Sequence, residues 1–144
     1  LHLFNSRGEL YLQKRPAWKD IQPGRWDTAV GGHVDYGETI AEALRREVRE
    51  ELGITDFVPG AVAVYPFRSE REYELVHVFR TVYDGVVRPS GELDGGRFWS
   101  PDEIRENLGQ GLFTPNFEGE VGLILGGFRC PRRRRFRFFG RRRG

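Results

Sequence analysis

Between Gly32 and Ile54 the chain reads GHVDYGETIAEALRREVREELGI, and this stretch constrains the fold more than any other. Thr39 and Glu42 have the spacing of a capping box, and Gly53 stands where helices end in a left-handed residue, so a helix is predicted between them. Ala41, Leu44, Val48 and Leu52 recur at helical spacing and supply an apolar stripe for burial, expected to point away from the acids. Glu47, Glu50 and Glu51 lie at i, i+3 and i+4 and share one helical turn. Three carboxylates so placed repel, and oxygen donors of this kind suit Mg²⁺ or Mn²⁺, which accept phosphate oxygens in the same shell. Arg46, one turn before Glu50, can pair with it and orient it, and Glu38 stands where it can orient the preceding loop. The pairs Glu42–Arg46 and Arg46–Glu50 equally describe a solvated surface helix, so spacing alone leaves both readings open.

The flanking sequence supplies the material of a sheet. Leu1–Phe4, a turn at Asn5–Gly8, and Glu9–Lys14 read as a hairpin. Residues 15–25 hold two prolines and a glycine without periodicity and are expected to form a surface loop anchored by Trp18 and Ile21. Trp26–Val30 is a short strand ending in Gly31-Gly32. Phe57–Pro66 and Glu72–Tyr83 are β-rich stretches, and Asp84–Gly96 is a turn-rich connection. Arg97–Ser100 is a short strand, Ser100-Pro101-Asp102-Glu103 opens a second helix, and a third is expected from Thr114-Pro115 to about Leu125.

Charge divides the chain. Nine of the 23 basic residues are arginines within 129–144, which contain no acid, so residues 1–128 carry fourteen basic against 21 acidic groups. Such an acidic body needs a cation to meet phosphate. We therefore expect one domain at 1–128 and an Arg-rich, disordered tail at 129–144, the only part suited to nucleic acid or an acidic membrane surface. No apolar run approaches the ~18 residues of a membrane span. Cys130 is the single cysteine, which excludes an internal disulfide and agrees with a cytoplasmic location. The chain begins at Leu1 and has no methionine, so the natural start is expected upstream.

The stretch from Gly32 to Ile54 resembles the signature of the Nudix hydrolases at all seven of its fixed positions and both of its apolar ones. The resemblance implies an α/β/α sandwich with a mixed central sheet, and Mg²⁺-dependent attack of water on a diphosphate linked to another moiety. It implies Glu47, Glu50 and Glu51 as metal ligands with a backbone carbonyl at Gly32 or its neighbour, and Arg46 as the residue that orients them. Residues 9–39 (ELYLQKRPAWKDIQPGRWDTAVGGHVDYGET) further resemble the branch that contains the type I isopentenyl-diphosphate isomerases, and Glu72-x-Glu74 stands where that branch carries an acidic pair. The isomerase requires a cysteine at the position of Gly31, and its own signature is usually degraded, so hydrolysis is the favoured reading. Isomerisation and a non-catalytic Nudix-like module for nucleotide or RNA are the alternatives.

Outside the signature, Glu74 is a candidate general base or further ligand, with Glu72 second to it. His33 is a candidate for metal or phosphate contact, and His2 and His77 are expected to be structural. Trp26, Phe67 and Phe113 are candidates for stacking on a flat group, and Lys14, Arg15, Lys19 and Arg25 for holding phosphate. Glu118 and Glu120 belong to TPNFEGE, a stretch that resembles this branch and places one of them near the cleft. The substrate class is a small-molecule diphosphate, and the state of assembly is left between monomer and homodimer.

Overall fold

A computed structural model describes residues 1–17, 23–68, 70, 73–91 and 95–125. Trp18, Lys19, Ile21, Glu72, Cys130 and the arginine tail, all named above, lie outside the described residues. The chain order is β1 (His2–Phe4), β2 (Leu10–Lys14), β3 (Trp26–Thr28), α1 (Ile40–Leu52), β4 (Gly60–Arg68), β5 (Tyr73–Val82), β6 (Gly96–Trp99), α2 (Pro101–Asn107) and α3 (Pro115–Ile124). The strand predicted from Phe57 begins only at Gly60, after Pro59, which has no N–H to give a ladder.

The six strands form one mixed sheet ordered β3-β2-β1-β5-β4, with β6 also on β2. The β1–β5 pair is parallel and the others are antiparallel. Along one edge β2 carries β6; along the other it carries β1 opposite Leu10 and Tyr11, then β3 opposite Leu12 to Lys14. β5 joins β1 only through Arg80 to Val82. Below His2 the sheet therefore splits, with the end of β3 on one side and residues 73–79 of β5 on the other.

Alternation along the strands assigns the two faces. Leu3 and Tyr11 join Ala29, Val30, Val48, Leu52, Ile54 and Phe57 in the layer under α1. Phe4, Leu10 and Leu12 join Trp99, Ile104, Phe113, Phe117, Ile124 and Leu125 in the layer under α2 and α3. Helices thus cover both faces, which is the expected α/β/α sandwich. Pro66 is tolerated in β4 because β4 is the sheet edge.

Helix ends follow local chemistry. Thr39 and Glu42 form the reciprocal capping box of α1, and Gly53 closes it at φ 69° with its N–H on the Arg49 carbonyl. Ser100 and Glu103 cap α2 in the same way, and Thr114 Oγ1 caps α3. The phase of α1 corrects the predicted stripe: Ala43, Val48 and Leu52 are buried, whereas Ala41 is exposed. Ala43 lies one turn from Glu47 on the wall of the split, so burial reaches round to the acids instead of lying opposite them.

Candidate active site

The split in the sheet opens into a cleft of about 890 Å³. One wall is α1, which contributes Ile40, Ala43, Leu44, Glu47 and Glu51, and the opposite wall holds Tyr65, Phe67, Glu74, His77 and Glu120. Residues of both parities on β5, from Glu74 to Phe79, reach the cleft because that strand edge has no neighbour there.

The three acids do not share one direction. Glu47 and Glu51 line the cleft, while Glu50, about 100° further round the helix, has a 53% exposed side chain paired to Arg46 Nη1 at 3.4 Å. Among the described residues no three His, Cys, Asp or Glu side chains stand close enough to hold an ion unaided. Glu51 is the buried member. Desolvation, then the charge on Glu47, push its carboxyl up to about 7, against a 3.5 Å hydrogen bond from Gln13 Nε2. Gln13 Nε2 also donates to the carbonyls of Thr28 and Ala29, tying the end of β3 to the α1 wall.

Gly32 is the point of closest approach between loop and helix. A Cβ there would overlap the Glu47 carboxylate, although the backbone itself is in a conformation open to any residue. At Gly31 a Cβ would meet nothing within 4 Å, so that position is a gap in the cleft wall.

Arg46 binds the loop and helix into one unit. Its Nε donates to Glu38 Oε2 at 2.7 Å and its Nη2 to Glu38 Oε1 at 2.9 Å and to the His33 carbonyl at 3.2 Å. Asp35 lies 3.3 Å and Glu47 3.7 Å away. Glu38 also accepts the Asp35 N–H at 2.9 Å, and the guanidinium, then this backbone bond, hold its carboxyl down at about 2. Arg46 and Glu38 therefore link the acidic turn of the helix to the loop at residues 33–35.

The remaining candidates separate by location. Glu74 lies on the cleft, with His33 Nε2 4.0 Å from its Oε1. Arg15 lies at one end, 3.9 Å from Asp27, and Phe67 lies on the far wall. Trp26 is instead placed in the core under α2 and α3, edge-on to Trp99 at 5.3 Å, with Lys14 and Arg97 over its ring. Phe113 is buried in the same core, and Arg25 donates to its carbonyl. Glu118 accepts the Gly109 N–H at 2.9 Å, a loop-closing contact, while Glu120 lines the cleft.

Sequence reasoning passed over Gln13, Asp27, Tyr65 and Asn116, all of which line the cleft. Gln13 in an otherwise buried strand and Asp27 beside the glycine pair were the available signals. His2, expected to be structural, is buried and bonded to Glu120, and His77, with the same expectation, lines the cleft.

The NUDIX domain family model matches residues 1–117. An uncharacterized Nudix hydrolase of Pseudomonas aeruginosa is 40% identical over 124 residues, spanning 85% of this chain and 73% of the relative. An isopentenyl-diphosphate Delta-isomerase of Salmonella heidelberg is 45% identical over 108 residues, spanning 68% of this chain and 58% of that enzyme. Among solved structures, a protein of Deinococcus radiodurans superposes with a TM-score of 0.73 at 26% identity, covering 86% of this chain and 79% of the other. A MutT protein of Methanosarcina mazei superposes with a TM-score of 0.71 at 27% identity, covering 88% and 90%. From the intact acidic signature, the sandwich fold, the family match over residues 1–117 and the hydrolase relatives, the chain belongs to the NUDIX family and is a Nudix pyrophosphohydrolase.

Proposed function

We propose that the chain hydrolyses a diphosphate bond in a nucleoside diphosphate linked to another moiety, or in a related organic pyrophosphate, with Mg²⁺ as cofactor and Mn²⁺ as its substitute. The observation that carries this reading is the pairing of Glu47 and Glu51 on one cleft wall, with the Glu47 carboxylate seated against the Gly32 backbone. The donor set fits a hard cation. Two carboxylates one turn apart oppose each other's charge, and Mg²⁺ is usually held by one or two carboxylates together with substrate phosphates instead of by an all-protein cage.

In this reading Glu47, Glu50, Glu51 and the Gly32 carbonyl would hold the ion, with Glu47 and Glu51 already on the cleft wall. Bound there, the ion supplies Lewis-acid polarisation of phosphorus, relief of charge on the leaving oxygen and a more acidic water. Arg46 is a positioning residue, since it fixes both the acidic turn and, through Glu38, the loop that carries Gly32. Glu74 on the facing wall accepts the proton of the attacking water, with His33 beside it. Arg15 and Phe67 flank the substrate.

The relatives named as isomerases favour a second reading, in which the chain rearranges isopentenyl diphosphate. Gly31 counts against it, because the position that the resemblance gives to cysteine carries no side chain. We assign catalysis to residues 1–128 alone and the protein to the cytoplasm, as the single cysteine supports. Among the described residues no helix is long and apolar enough to cross a membrane.

The test is a panel of nucleoside diphosphate sugars, dinucleoside polyphosphates, modified nucleoside triphosphates and prenyl diphosphates, with and without Mg²⁺. Release of phosphate or nucleotide that requires Mg²⁺ is the expected result. Double-bond migration without phosphate release would replace it with the isomerase reading, and no turnover on any member would overturn both.

A further inference from the structure

On the wall facing α1, three residues distant in sequence form one hydrogen-bonded unit. Glu120 Oε1 lies 2.8 Å from His2 Nε2, and Glu120 Oε2 accepts the Tyr65 hydroxyl at 2.6 Å. The His2 side chain is 1% exposed and that of Glu120 14%. His2 Nδ1 is buried without a partner among the described residues. An ionised carboxylate only accepts, so Nε2 carries the proton, and the neutral tautomer leaves Nδ1 bare with no donor to satisfy. Burial opposes charge on Glu120, but the bonds from His2 and Tyr65 outweigh it and its pKa lies below the usual carboxylate range. Burial lowers the pKa of His2, and burial followed by the Glu120 hydrogen bond raises that of Tyr65.

The consequence is a surface of one kind. Each carboxylate oxygen keeps a lone pair after its protein bond, and the phenol has spent its only proton, so the unit offers the cleft acceptors and no donor. A phosphate, itself an acceptor and negatively charged, is repelled. An alkyl chain would leave the carboxylate desolvated without a partner, which is costly. A group that brings hydroxyl or amino protons satisfies it. Phe67, two residues after Tyr65 on the same strand face, sets an aromatic surface beside these acceptors, and both line the cleft.

We propose that Glu120, held by His2 and Tyr65, is a specificity-determining residue that binds the hydroxyls of a sugar or nucleoside on the far side of the diphosphate, with the ring against Phe67. The inference rests on the diphosphatase reading and extends it to the class of the organic moiety: a hydroxyl-bearing ring is taken and a prenyl chain is rejected. His2 acts through Glu120 and is a positioning residue.

Calorimetric titration of the full chain with ADP-ribose and with dimethylallyl diphosphate, for wild type, Glu120→Gln and Tyr65→Phe, tests it. Ca²⁺ replaces Mg²⁺ in the titrations to limit turnover. The expected result is wild-type preference for ADP-ribose by tenfold or more, cut at least tenfold in Glu120→Gln and several-fold in Tyr65→Phe, with dimethylallyl diphosphate binding unchanged and each variant folded at the titration temperature by its thermal melt. Equal weakening for both ligands, a preference for dimethylallyl diphosphate, or no binding of ADP-ribose by wild type overturns the proposal. Mg²⁺-dependent hydrolysis of other panel members would persist in that case, so failure here is distinct from failure of the diphosphatase reading.

Discussion

The Glu47 carboxylate occupies the space in which any side chain at residue 32 would begin, so Gly32 is required by its neighbour on the helix and not by its own backbone angles. Gly32→Ala should push Glu47 off the cleft wall. The atoms displaced are the far end of a flexible side chain, so stability should change by less than ~1 kcal/mol while kcat/KM falls on the order of tenfold to a hundredfold. Steady-state kinetics beside a thermal melt checks this. Unchanged kinetics would remove the contact from the catalytic account.

Arg46 touches Glu38, Glu50 and the His33 carbonyl through a planar fork that an ammonium group does not reproduce. Arg46→Lys should therefore lower kcat about tenfold to a hundredfold with the charge retained. Because Glu38 acts through the same bond, adding Glu38→Gln to Arg46→Lys should cost little more than either change alone. A fully additive double variant would show that the two residues act separately.

Replacing the acids separates the proposed ligands. Glu51→Gln should lower kcat on the order of a hundredfold or more and raise the Mg²⁺ concentration needed for half-maximal rate. Glu50→Gln should also lower the rate, and by less, since Glu50 begins outside the cleft on Arg46. Wild-type rates in both would reject the metal assignment.

The pH dependence of the metal-free protein follows from Glu51. Its folded pKa of about 7 lies above the ordinary 4.5, so between these values the folded state holds a proton that the unfolded state has released. The Glu51 contribution to stability in EDTA should therefore fall as pH rises from about 4.5 to about 7, while the buried N-terminal amine and His2, whose pKa values desolvation lowers, act in the opposite direction. The loss is at most ~3 kcal/mol, and about 1–2 kcal/mol after solvent screening at the open cleft. The difference in melting between wild type and Glu51→Gln isolates this slope and should change across this range, and added Mg²⁺ should stabilise wild type most at the upper end.

Thr39 tests the frame apart from the chemistry. Thr39→Ala removes the acceptor for the Glu42 N–H at the start of α1 and should cost ~1 kcal/mol of stability. The rate per folded molecule should be retained, because Arg46 and Glu38 still anchor the loop. A loss of kcat without loss of stability would show that the cap positions the site.

What could be read in sequence was local. The three helix starts were set by Thr39, Ser100 and Thr114, whose side chains bond backbone within three residues, and the end of α1 by Gly53. The acidic turn was equally visible, because its spacing is fixed by the helix. The rotation of α1 was not. Whether Ala41 or Ala43 is buried, and which acids face the cleft, depends on the surface that the helix packs against. Trp26 and Phe113 illustrate the same limit: an aromatic residue suits a core and a ligand equally well, and only the layer formed with Trp99 and Phe117 decided between them.

The chain by itself therefore determined the chemistry on offer: oxygen donors at fixed helical spacing, an arginine one turn before Glu50, and a glycine at the position that the resemblance gives to the isomerase cysteine. Tertiary structure alone decided what that chemistry faces. β1 ends early and splits the sheet, and Glu120 on α3 meets His2 on β1 and Tyr65 on β4, 118 and 55 residues away in the chain. Such contacts leave no local pattern, because they arise from the packing of strands and helices and not from the bonding of neighbours.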